Sequence, residues 1–119
     1  MDIAEIQKLM ASFAEDRDWG QFHNPKNLVM ALSGEVGELT EIFQWLTADE
    51  SAAVTELPEQ RRRVEEEMAD VLLYLARLAD VLQIDLLDAA VRKVELNGRN
   101  YPVDKSKGHA TKYTDLEGN

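Results

Sequence analysis

The 119-residue sequence has no cysteine, three prolines, six glycines and two histidines. Without cysteine there is no disulfide scaffold, no zinc finger and no thiol nucleophile, which suits a reducing cytoplasm. So few prolines and glycines exclude a collagen-like or loop-dominated fold. No uncharged apolar stretch approaches the length that crosses a bilayer, and the opening MDIAEIQKLMASFAEDRDW lacks the basic-then-apolar order of a signal peptide. Basic residues are the minority, 13 against 23 acidic ones, for a net charge of −10. Such a surface repels nucleic-acid backbone and anionic lipid, so neither a nucleic-acid polymer nor a membrane is an expected partner. A free nucleotide meets the same repulsion unless a divalent cation stands between. The acid excess therefore reads in three ways: a solubilising surface, a patch for a basic partner, or a set of metal ligands.

Hydrophobic residues make up 45% and charged residues 30%, enough for one folded domain over residues 1–119 with its own core. Helical periodicity dominates and period-two alternation is missing. Ile3, Ile6, Met10 and Phe13 share one face of a first helix ending near Arg17–Gly20. Asn24 followed by Pro25 is a cap and first-turn proline, predicting a second helix to about Leu46. Thr47–Leu57 reads as a loop, and Pro58 opens a third helix to about Leu82. Asp85 caps a fourth, which ends near Gly98–Asn100 before Pro102. From about residue 100 the tail reads as irregular. The expected fold is all-α, a four-helix bundle core.

Taking Asp70 as the origin of a helical wheel for the third helix, Glu67 falls at about +60°, Tyr74 at about +40° and Arg77 at about −20°. Val71, Leu72, Leu75, Leu78 and Leu82 spread over roughly +80° to roughly +200°, while Leu73 lies at about −60°. Apolar residues flank the polar stripe on both sides. A chain this short is not expected to cover such a helix alone, which predicts a homo-oligomer.

Glu35 and Glu38 stand at i and i+3 on the second helix, Glu67 and Asp70 at i and i+3 on the third. Two such pairs on neighbouring helices bring four carboxylates into one small volume. Unpaired, they repel one another and hold protons near neutral pH. A hard divalent cation removes the conflict; Mg²⁺ is the natural choice and Mn²⁺ the alternative. Gly34 and Gly37 lie inside the same helix, each costing about 1 kcal/mol against alanine, which close approach of a backbone or ligand would explain. The plainer reading of any one ExxE is a solvated face, and Glu65 and Glu66 beside Arg61–Arg63 are read so. A ferritin-like di-iron site is excluded, because neither His23 nor His109 follows a glutamate by three residues.

EVGE and EMAD, with positions 39–66 between them, resemble the ExxE–spacer–ExxD hallmark of the MazG-like all-α nucleoside triphosphate pyrophosphohydrolases. DWGQFHNPKNLVMALSGEVGELTEIFQW, EEMADVLLYL and KVELNGRNYPV…KGHATKYTDL are similar to successive blocks of the dCTP pyrophosphatase branch. The resemblance implies Mg²⁺-dependent cleavage of a dNTP to dNMP and pyrophosphate, a nucleotide-pool role, and a tetramer. It implies that Glu35, Glu38, Glu67 and Asp70 hold metal and carry catalysis. Glu38 is the expected water-orienting carboxylate, with Glu41 as the alternative. Lys93, Asn97 and Tyr101 match the family's phosphate-binding pattern; the plainer reading is an exposed helix end. Trp45, roughly 10 Å beyond Glu38 along the same helix and on nearly the same side, joins Trp19 and Tyr74 as an expected base contact. His23 is read equally as a base contact or as helix-start packing, Phe13 and Phe43 as core, and Arg77 as a partner of Asp80. Two further functional readings stay open: a dUTP or broad-specificity dNTP pyrophosphatase, and a non-enzymatic acidic helical adaptor.

Overall fold

The computed structural model describes residues 1–115, and among these every regular element is helical. Met1–Ile84 form one compact unit and the chain from Asp85 onward a second. In the first unit, α1 (Ile3–Asp16), α2 (Pro25–Phe43) and α4 (Pro58–Val81) carry the packing, and both α1 and α2 lie against α4. No helix among the described residues is long and apolar enough to cross a membrane.

The helix starts follow their side-chain caps. Asp2 accepts from the Glu5 N–H, and Asn24 from the Asn27 N–H, both at 2.9 Å. Pro25 and Pro58 occupy first-turn positions where no N–H is needed. The ends of α1 and α4 are alike. Asp18 and Gln83 adopt left-handed φ values of 55° and 57°. Behind each, the next N–H reaches back: Trp19 to the Ala14 carbonyl at 2.8 Å, and Ile84 to the Ala79 carbonyl at 2.9 Å. This Schellman closure satisfies carbonyls that a helix end leaves orphaned.

Two sequence expectations are corrected here. The segment read as a loop contains α3 (Ala48–Ala52) and a 3-10 turn at Val54–Glu56. Thr47 and Glu50 cap that helix reciprocally, side chain to backbone, at 3.1 and 2.9 Å. α2 stops at Phe43 and not at about Leu46, with Gln44 as its C-cap and Thr47 extended ahead of α3. The other correction concerns α4. From Asp70 to Val81 only Leu72 is exposed, with both α1 and α2 packed on the helix. The chain itself thus half-covers most of the apolar circumference that had been assigned to a partner subunit, and leaves Leu72 and Leu82 exposed.

The buried apolar residues are Ala14, Leu28, Ile42, Val64, Ala76 and Ala79. Half of them are alanine, so α4 packs closely. Gln7 on α1 reinforces the contact by donating to the Ala76 carbonyl at 3.0 Å. Neither phenylalanine expected in the core is fully buried: Phe43 is half-buried, and Phe13 is 43% exposed and belongs to a cavity wall.

The second unit contains α5 (Leu86–Asn100), capped by Asp85 at 3.0 Å. The tail is less irregular than expected: α6 (Val103–Ser106) and a 3-10 turn at Tyr113–Asp115 follow. Tyr101 ends α5 and meets Tyr113 edge to face, with centroids 5.7 Å apart. Residues 116–119 of the expected tail lie outside the described residues.

Candidate active site

The packing of α2 on α4 brings Glu35, Glu38 and Glu67 together. One carboxylate oxygen from each lies within 4.8 Å of the others. Glu35 and Glu67 each also hold one oxygen, Oε2, buried without a hydrogen-bond partner. Burial first, and then the charges of Asp70 and Glu38, push the Glu35 carboxyl up to about 7. Glu67 is raised as well, chiefly through its contact with Glu38 and then by burial. Orphaned oxygens and carboxyls that resist ionisation mark a site short of positive charge. An all-oxygen donor set of this kind fits a hard divalent cation. Three of the four expected ligands therefore converge on side-chain geometry alone. Asp70 is not in that trio. It sits one helical turn on, close enough to raise both glutamates, and lines an adjoining cavity.

That cavity, about 400 Å³, is walled by Leu9, Met10 and Phe13 of α1, by Trp19 and His23 of the connection to α2, and by Asp70, Leu73 and Tyr74 of α4. Trp19 occupies the position after the left-handed residue that closes α1. The closure folds it back onto Phe13, edge to face at 5.6 Å. His23 lies beside Trp19, with ring centroids 6.4 Å apart. Its connection is pinned by the Asn27 side-chain amide, which donates to the Phe22 carbonyl at 2.9 Å. Three aromatic rings, a histidine and a terminal carboxylate make a slot suited to a flat heterocycle with a polar edge.

Trp19, His23, Tyr74 and Asp70 are thus gathered at one place. Trp45 is not with them: it lies in the turn beyond α2, 86% exposed. Glu41 lines a separate cavity with Ile42 and Arg63, apart from the carboxylate trio. Lys93 and Asn97 are exposed on α5, Lys93 in a shallow groove with Arg92 and Arg99. Glu65 and Glu66 pair with Arg61 and Arg62 at 2.8 and 2.9 Å in solvent, the solvated face expected of them. Among the described residues, nothing outside the helix's own turn comes within 4 Å of a Cβ added at Gly34 or Gly37, so the close approach inferred for them is not made by this unit. Phe13, Leu9 and Met10 are the site residues that sequence reasoning passed over. Their i, i+1, i+4 spacing on α1 was visible, but it is shared by ordinary core.

The MazG-like family model matches residues 30–116, spanning both carboxylate pairs. The chain belongs to the MazG-like family. It is 47% identical to dCTP pyrophosphatase 1 of Bos taurus over 114 residues, 96% of this chain and 68% of that protein. The corresponding protein of Homo sapiens is 45% identical over 96% of this chain and 67% of its own length. Among solved structures, a pyrophosphatase from Archaeoglobus fulgidus superposes with a TM-score of 0.77 at 45% identity, covering 83% of this chain and 91% of that one. This MazG-like chain thus shares with that pyrophosphatase an all-helical fold.

Proposed function

We propose that the protein is a Mg²⁺-dependent pyrophosphohydrolase that cleaves dCTP, or a modified deoxycytidine triphosphate, to the monophosphate and pyrophosphate, as one MazG-like domain acting on the cytoplasmic nucleotide pool. The observation that carries this is the carboxylate trio beside an aromatic slot, in a chain close to proteins named dCTP pyrophosphatase. Glu35, Glu38 and Glu67 would hold the metal, with Asp70 completing the set from the slot side. Bound there, the cation supplies screening of the triphosphate charge and a lowered pKa for the attacking water. Water oxygen bonds to the α-phosphorus, the bond from that phosphorus to the α–β bridging oxygen breaks, and pyrophosphate leaves. Glu38, the exposed member of the trio, takes the water's proton, since Glu41 faces a different cavity. Trp19 and Tyr74 flank the base and His23 meets its edge. Lys93, Asn97 and Tyr101 are retained as phosphate ligands on the family pattern. Trp45 is retained as a base contact on the same ground alone.

The protein is further proposed to assemble as a homo-oligomer, a tetramer by family resemblance. Leu87, Val91 and Val94 form one stripe on α5, between 55% and 69% exposed, and Val29, Met30 and Met68 add open apolar surface in the first unit. A stripe of this kind is better covered by a second copy than left in water.

A panel of dNTPs and NTPs with Mg²⁺, products separated by chromatography, tests the reaction. dCMP and pyrophosphate are expected, and chelation should stop turnover. A dNDP with orthophosphate would overturn the bond assignment, and preference for dUTP the base assignment. A chelator-insensitive affinity for a basic protein without turnover would favour the adaptor. Light scattering during size exclusion tests assembly: a stable, active 13.5 kDa species would overturn it.

A further inference from the structure

Arg77 lies two helical turns beyond Asp70 on the same stripe of α4, and its guanidinium is largely buried. Its Nε donates to Nδ1 of His23 at 3.1 Å, across 54 residues of sequence. Asp80, one turn on, holds the other end of the guanidinium, with Nη1 3.5 Å from its carboxylate. A guanidinium has donors only and does not lose its proton in proteins. The nitrogen it touches must therefore present a lone pair, which leaves the ring proton on Nε2. Burial, and secondly the Arg77 charge, hold His23 below its ordinary pKa, so the ring remains uncharged at neutral pH. Among the described residues Nε2 has no hydrogen-bond partner, while the ring lines the slot.

We propose that Arg77 is a positioning residue that fixes His23 as the Nε2–H tautomer, so that the slot offers a fixed hydrogen-bond donor to an acceptor on the pyrimidine edge. Cytosine presents two adjacent acceptors there, O2 and N3. The opposite tautomer would present an acceptor and face O2 and N3 lone pair to lone pair. Asp80 orients Arg77, Arg77 orients His23, and His23 reads the base. The base-reading half of this chain rests on the function proposed above; the tautomer half does not.

The sequence makes the test direct, because His23 and His109 are its only histidines. Long-range proton–nitrogen NMR of the ¹⁵N-labelled full chain reports which ring nitrogen carries the proton, with exposed His109 as the internal reference. The native protein should show His23 protonated at Nε2. Arg77→Ala should give a mixture of tautomers, and Arg77→Gln, whose amide can still donate, should restore the single form. With dCTP, Arg77→Ala should raise KM about three- to tenfold, the worth of one hydrogen bond, and leave kcat within about twofold. A purely structural arginine would lower thermal stability without moving either the tautomer or KM. A native His23 protonated at Nδ1, or an Arg77→Ala variant with the native tautomer and KM, overturns the proposal. If the lock holds but dCMP leaves the His23 signals unmoved, the base-reading half falls and the tautomer half stands. If dCMP moves those signals but no dNTP is cleaved, the proposed reaction fails and the lock does not.

Discussion

Glu67 and Tyr74 stand two turns apart on α4. Glu67 meets Glu35 and Glu38 of α2, where like charges crowd and two carboxylate oxygens have no partner. Tyr74 faces the α1 side, in a slot whose aromatic walls already contact one another. One half of the site is unfinished without an added positive charge; the other is complete as folded. The difference separates two jobs. The polar half is built to be stabilised by what it binds, while the apolar half is built to be the right shape beforehand.

Breaking the polar half should have the largest effect. Glu38→Gln or Glu67→Gln should cut turnover at saturating Mg²⁺ by at least about 100-fold, measured as pyrophosphate release, with the helical circular dichroism unchanged. Breaking the shaped half should cost affinity first. Trp19→Ala removes a stacking face worth about 1–3 kcal/mol, so KM should rise about tenfold or more while kcat moves little. The halves should also differ in their response to pH without metal. Glu35 is raised from its ordinary 4.5 to about 7, so the folded chain holds more protons than the unfolded chain between those values. Stability in chelator should therefore fall as pH rises through that window, read by urea denaturation on its mildly acid and alkaline sides. Mg²⁺ should reduce the slope. The smallest effect is reserved for the glutamates beside Glu67. Arg62→Ala breaks exposed pairs with Glu59 and Glu66 and should leave the urea midpoint essentially unmoved, with activity intact.

The long helices were legible because their ends are written locally, in Asn24–Pro25, Pro58 and Asp85. The carboxylate pairs were legible because i, i+3 spacing on a helix is a statement about geometry. Elsewhere, legibility failed for identifiable reasons. Thr47-x-x-Glu50 is itself a capping box, overlooked because the helix it starts is only five residues long. α2, expected to reach about Leu46, ends at Phe43, and Trp45 lies in the turn that follows. The coverage of α4 by α1 and α2 is a matter of packing angle, which a helical wheel does not contain. The bond from Arg77 to His23 joins residues 54 apart, so no local pattern announces it, whereas the expected partner Asp80 is only three residues away.

Ala14 on α1 and Ala76 and Ala79 on α4 are buried methyl groups in a helix pair whose neighbouring side chains wall the slot. The distance between packed helices follows the size of the side chains at their contact. Gln7 ties α1 to α4 at the Ala76 carbonyl, so this spacing bears on the slot although none of the three alanines lines it. Phe13 precedes Ala14 directly, and Leu73 and Tyr74 precede Ala76 by three and two residues, so a wider helix spacing would part the opposing walls. The width of the slot is in this way inherited from the core. Enlarging Ala76 would widen the slot while every residue that lines it stayed the same.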